Sequence, residues 1–99
     1  MPYVRYTHKS LRDLDAIGEY IAKENVQAAR RLLRSIKDKC RTFAENPSIG
    51  GQRDEFGEGT RVFSLGSYLV FYRPADSGIT VLRVLHGARD LPEIFRSEG

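Results

Sequence analysis

Four side chains in the second half of the chain have the best claim to chemistry: Arg61, Arg83, His86 and Arg89. A guanidinium is a rigid planar fork of donors that matches a carboxylate or a phosphate with two parallel hydrogen bonds. His86 adds the one side chain type whose ordinary titration falls near neutral pH. Arg83 stands between Leu82 and Val84 in an apolar run. An arginine there needs a partner or an opening to water. Two readings follow. One is an internal pair with a carboxylate, for instance Asp90 or a loop residue. The other is a patch that takes a phosphate or carboxylate from a partner. Strict strand alternation places Arg83 with Ile79, Val81 and Leu85, and His86 on the other face with Leu82 and Val84. Only a bulge or the turn at Gly87 would bring the two together.

Other residue types offer less. The chain has two histidines, His8 and His86, and one cysteine, Cys40. That set excludes an internal disulfide and gives no histidine- or cysteine-rich metal cluster. Cys40 falls on the apolar seam of a helix and reads as a packed thiol, not a nucleophile. Asp54-Glu55 lies in a glycine-rich stretch and reads as solvated charge. Gly50, Gly51, Gly57 and Gly59 are not followed by the Gly-Lys-Ser/Thr of a phosphate loop. No metal or cofactor is expected, and no constellation compels an enzyme.

The elements that must position these residues are legible by pattern. Tyr3–Thr7 alternates and is rich in aromatic and β-branched types, so it reads as a short strand. Ser10 offers a helix cap with Asp13 three residues on. Leu11, Leu14, Ile17 and Ile21 then make one helical stripe, and Gly18 inside it marks a close approach to a neighbour. Asn25 caps a second helix whose Val26, Ala29, Leu33, Ile36, Cys40 and Phe43 alternate steps of three and four. The link is short, so the helices form an antiparallel hairpin. Asn46-Pro47 ends the second helix, and a long loop runs to Gly59. Strands at 60–64, 68–73 and 79–86 follow, joined by turns. Asp90-Leu91-Pro92-Glu93 opens a short C-terminal helix through Ile94 and Phe95. The expectation is a single α+β domain over 1–99: a short N-terminal strand, a helical hairpin packed on a three- to four-stranded antiparallel sheet, and a short last helix.

Composition agrees with that class. In 99 residues, 40% are hydrophobic and 29% charged, which suits a globular domain and argues against disorder. The longest apolar run, Tyr68–Tyr72, is far short of the roughly 20 residues that span a bilayer, and no signal-peptide stretch opens the chain. With one cysteine, the reducing cytoplasm is the expected compartment. The net charge of +3 is unevenly placed. Residues 1–50 carry 10 basic and 6 acidic groups, and residues 51–99 carry 6 and 7, with every cation of the second half an arginine. Much of the excess lies on one helix face, Arg30, Arg31, Arg34, Lys37 and Arg41. It reads first as a solvated face, and direct nucleic-acid binding is left open.

Taken together, these segments resemble a known family. Arg61-Val62-Phe63, Tyr68-Leu69-Val70-Phe71-Tyr72-Arg73 and Arg83-Val84-Leu85-His86-Gly87-Ala88-Arg89-Asp90-Leu91 look like the ParE toxins of the ParE/RelE superfamily. Asp13-Leu14-Asp15-Ala16-Ile17-Gly18-Glu19-Tyr20-Ile21-Ala22 is similar to the family's first helix, and Asn46-Pro47-Ser48-Ile49-Gly50-Gly51 to its Pro-x-x-Gly loop. The resemblance implies a type II toxin that binds and inhibits DNA gyrase, is neutralised by a ParD-like antitoxin, and forms a hetero-oligomer with it. Arg61, Arg83, His86 and Arg89 are then candidates for partner binding. The alternative is a RelE-like ribosome-dependent mRNA endonuclease using Arg61, Arg83 and His86. Cleavage of that kind needs a base, an acid and cations for the phosphorane charge. The chain has no lysine after Lys39, no tyrosine after Tyr72 and no histidine after His86. That shortage favours the binding protein.

Overall fold

A computed structural model describes residues 2–98, with side chains through Pro92; the side chains of Ile94, Phe95 and Arg96 lie outside the described residues. The chain runs β1 (Tyr3–Tyr6), α1 (His8–Ala22), α2 (Val26–Glu45), β2 (Gly51–Gln52), β3 (Arg61–Leu65), β4 (Tyr68–Ala75), β5 (Gly78–His86) and α3 (Gly87–Glu98). Two single-turn 3₁₀ segments, Pro47–Ile49 and Asp54–Phe56, punctuate the loop after α2.

The sheet differs from the antiparallel one expected. It has five strands in the order β1-β5-β4-β3-β2. The strands β2 to β5 are joined antiparallel, but β1 lies parallel to β5, with Tyr3 opposite Gly78 and Tyr6 opposite Val81. The cause is topological. The helical hairpin acts as a long crossover, so the first strand enters beside the last in the same direction. The extra strand is β2, two residues recovered from the glycine-rich loop.

Both helices lay their apolar stripes on one sheet face. Leu14, Ile17, Ile36, Cys40 and Ala44 meet Phe63, Val70, Tyr72, Ile79, Val81 and Val84 in one buried cluster. Phe43 stacks on Phe63 with ring centroids 4.2 Å apart. The ends of the predicted stripes fray outward: Leu11 and Val26 are exposed. Gly18 makes the close approach expected of it: a Cβ there would lie 3.0 Å from Leu33 Cδ1 on α2. The Cys40 thiol is buried and free of any disulfide, and burial pushes its pKa up to about 11.

Capping follows chemistry more than the first pattern suggested. Asn25 caps α2 as expected, its side chain accepting the Ala28 N–H at 3.0 Å. The cap of α1 is Thr7, not Ser10: Thr7 Oγ1 accepts the Ser10 N–H at 3.1 Å. Ser10 is buried one turn in and donates its hydroxyl to the Thr7 carbonyl. Helix α3 begins at Gly87, three residues before the predicted Asp90 start, so Pro92 falls inside it.

A bulge decides which way the strand β5 points its side chains. Tyr72 pairs with Val81 and Phe71 with Arg83, leaving Leu82 as the extra residue. Past it, alternation restarts out of phase. Val84 joins Ile79 and Val81 toward the helices, while Arg83 falls with Leu85 on the opposite face, correcting the strict period-two expectation. That opposite face is partly covered: Phe71 and Leu85 are buried, and the Phe56 ring lies 5.0 Å from Phe71.

Candidate functional site

An open groove of about 670 Å³ lies along β5 between α1 and the start of α3, lined among others by Asp13, Tyr20, Arg83, Arg89 and Asp90. Its floor is set by the edge of β5. The pairing of β1 with β5 stops at Tyr6 and Val81, so the next backbone groups of β5 must find other partners. Thr7 Oγ1 donates to the Leu82 carbonyl at 2.9 Å. The Asp13 carboxylate, one and a half turns into α1, accepts the Val84 N–H at 2.9 Å.

The same carboxylate holds Arg83. Its Oδ2 accepts from Nε at 2.8 Å and its Oδ1 from Nη2 at 3.0 Å, a fork-on-fork pair. The partner is therefore Asp13, not the Asp90 or loop carboxylate that the sequence suggested. The Arg83 side chain keeps 36% of its exposure and Asp13 only 14%. The pair is thus anchored on the acidic side and open to solvent on the basic side. Hydrogen bonding to Asp13 strengthens the Arg83 cation further, raising its pKa.

His86 is the last residue of β5 and stands where a cap residue of α3 would stand. Its Nδ1 accepts the Arg89 N–H at 3.2 Å, and its own N–H donates to Asp90 Oδ2 at 2.7 Å. This is the reciprocal logic of a capping box, with histidine and aspartate in the two roles. Burial alone would raise the Asp90 carboxyl, but the His86 N–H and the Arg89 guanidinium outweigh it and hold the group below its ordinary value. Arg89 donates from Nε to Asp90 Oδ1 at 3.2 Å, and its guanidinium lies 5.6 Å from the Tyr20 ring centre, over an exposed tyrosine of α1. His86 meets Tyr68 edge to face with centroids 5.4 Å apart.

Arg61 is elsewhere. It lies on β3, two strands from β5, and donates from Nη1 to the Gly50 carbonyl at 2.7 Å. There it belongs to a structural corner with Tyr72, whose hydroxyl accepts the Gly50 N–H at 3.0 Å and donates to the Pro47 carbonyl at 2.6 Å. A Cβ on Gly50 would press into the Tyr72 ring, 2.8 Å from Cε1. The predicted set thus splits: Arg83 and Arg89 line one groove, His86 stands behind it, and Arg61 braces the loop after α2. Sequence reasoning missed Asp13, Tyr20 and, as a site residue, Asp90. The signal for Asp13 was present in the demand of Arg83 for a counter-charge, but nothing local pointed to α1.

Among the described residues, no group of three or more His, Cys, Asp or Glu side chains is placed to hold a metal ion. No helix among them is long and apolar enough to cross a membrane. The arrangement offers a groove with one arginine tied down, a second at its rim, and an exposed tyrosine between helices.

Known proteins share this chain's sequence and fold. The family model described as "ParE toxin of type II toxin-antitoxin system, parDE" matches residues 4–91. A putative toxin, Y4kP, of Sinorhizobium fredii is 32% identical over 93% of this chain and 95% of its own. Toxin ParE1 of Mycobacterium tuberculosis is 40% identical over 67% of this chain and 68% of its own. Toxin RelE2 of Caulobacter vibrioides is 30% identical over 90% of this chain and 99% of its own. Among solved structures, a chain of the chromosomal ParDE TA system from P. aeruginosa superposes with a TM-score of 0.70 over 87% of this chain and 96% of that one, at 22% identity, which shows a common fold. With the family model covering both helices of the hairpin and all of the sheet but Tyr3, the chain belongs to the ParE toxin family of type II toxin–antitoxin systems.

Proposed function

We propose that this toxin acts by binding, with DNA gyrase as its target and a ParD-like antitoxin as its neutralising partner, and not as a nuclease. One observation carries the reading: each candidate nuclease group already makes a hydrogen bond within the protein, and the three do not converge on one groove. Arg83 is held two-pronged by Asp13, Arg61 is spent on the Gly50 carbonyl, and His86 Nδ1 accepts the Arg89 N–H. Cleavage of RNA needs a base and an acid on either side of one phosphate. Among the described residues, Arg61 and His86 line no groove together: Arg61 stands on β3 and His86 at the end of β5, two strands away. The ParE family membership supports the same reading.

The groove suits an antitoxin segment that is apolar with an acidic residue. Tyr20 offers an exposed ring, and Arg89 offers the donors that Asp90 leaves unused. Purified full-length protein is expected to inhibit gyrase supercoiling, and co-purified antitoxin to reverse it. Uninhibited supercoiling at large toxin excess refutes the gyrase target. A parallel arm with translating ribosomes carries the alternative suggested by the relative named RelE2. Codon-dependent mRNA cleavage that collapses in Arg83→Ala would replace the binding reading with the nuclease one.

A further inference from the structure

The exposed face of α2 has no role in the groove or in the core. At about 100° of turn per residue, Arg30, Arg34, Lys37 and Arg41 fall within about 60° of arc and extend roughly 16 Å along the helix. All four are exposed and line one shallow depression with Leu33 and Asp38. Asp38 pairs with Arg41. Among the described residues, Arg30, Arg34 and Lys37 have no carboxylate partner, and neither does Arg31 beside them. Lys39, on the far side of the helix, is turned instead to the Ser64 carbonyl. Three cations are therefore held unneutralised on a rigid line, against the usual tendency of surface charges to interleave.

We infer that this face binds the backbone phosphates of duplex DNA without reading sequence. The inference is independent of the gyrase reading. A protein partner fits the face poorly, because interface centres are built on buried apolar and aromatic anchors, with arginine as a paired donor among them, and this stripe offers no such anchor. The only exposed large apolar side chain on α2 is Val26, at its first residue. A single-stranded nucleic acid also fits poorly, since such strands are gripped by stacking on aromatic rings, and the stripe has none. A straight row of cations on one helix matches the regular phosphate row of a duplex and supplies orientation without base contacts.

Three free cations set the expected salt dependence. The slope of log affinity against log salt is about −0.9 per phosphate contact, or about −2.7 here, so affinity falls roughly 40-fold between about 50 and 200 mM salt. The test is fluorescence anisotropy of the full chain with a labelled duplex of about two helical turns and arbitrary sequence. Binding with that slope is expected. The triple variant Arg30→Gln, Arg34→Gln, Lys37→Gln keeps good helix formers at exposed sites and should lose binding by at least tenfold at low salt. A control removing equal charge elsewhere, Arg5→Gln, Arg12→Gln, Arg53→Gln, should lose less than threefold. The wild-type slope reads the contact without any substitution. The inference is overturned by absent binding at about 50 mM salt, by equal losses in the two triple variants, or by tighter binding of polyglutamate or single-stranded RNA of matched charge.

Discussion

Removing the Asp13 carboxylate should cost more than a surface ion pair and less than a core one. Asp13 accepts three hydrogen bonds, two from Arg83 and one from the Val84 N–H. Exposed pairs contribute about 0.2–1 kcal/mol. Breaking a fully buried pair costs about 3–5 kcal/mol, because a charge is stranded. Here the guanidinium retains 36% exposure and can turn to water, while the Val84 N–H loses its partner at a strand edge. The expected loss for Asp13→Ala is therefore about 2 kcal/mol, near the middle of those limits. In a domain this size that lowers Tm by roughly 8–16 °C. Arg83→Ala strands the less exposed partner, though Asp13 keeps the Val84 N–H, and about 1.5 kcal/mol is expected. Guanidinium or urea titrations of wild type, both singles and the double should close a cycle with a coupling of about 1 kcal/mol. A coupling within about 0.3 kcal/mol of zero, with Asp13→Ala costing less than about 0.5, would refute the claim that this pair fixes the groove.

The Tyr72 corner and the Asp90 cap give two further predictions. Tyr72→Phe leaves the Gly50 N–H and the Pro47 carbonyl without their buried partner, and a loss of about 1–3 kcal/mol is expected by denaturant titration; a change below about 0.5 would show that the hydroxyl is dispensable. Asp90 lies below its ordinary value of 3.8 when folded, so the unfolded chain binds its proton more readily. Its stabilisation is fully present above the ordinary value and drains as pH falls through the folded value, so Asp90→Asn should flatten the stability profile below about pH 4 and leave its shape unchanged from pH 6 to 8. Parallel acid limbs in the two proteins would contradict the assignment.

Local pattern revealed most elements because helices and hairpins are specified by neighbours in sequence. The Asn25 cap, the seam through Ile36 and Cys40, and the tight Gly18 contact all depend on residues within one or two turns or one facing helix. What escaped was non-local. The place of β1 beside β5 depends on a crossover, and a four-residue strand carries no mark of which edge it will join. A bulge was conceivable from the sequence, but its place at Leu82, before Arg83, was not legible, because a β5 of Ile, Val and Leu looks apolar in either phase. For the groove, the demand of Arg83 for a partner was legible, but its answer lay 70 residues away on α1. His86 and Arg89 were legible as types, whereas their reciprocal bonds with Asp90 follow from α3 starting at Gly87, which the Asp-x-Pro-Glu signal obscured.

The strand β5 is nine residues long and rich in Ile, Val and Leu. With one side left open it would be a template on which a second chain could add a strand. This molecule closes that side along its length by three different means: β1 from Gly78 to Val81, the Thr7 hydroxyl at Leu82, and the Asp13 carboxylate at Val84. Each guard comes from the first thirteen residues, and each protects a segment about 75 residues later in the chain. Small changes near the N-terminus should therefore surface as self-association before they surface as lost helix content. The first thirteen residues thus also decide which added strand the sheet refuses.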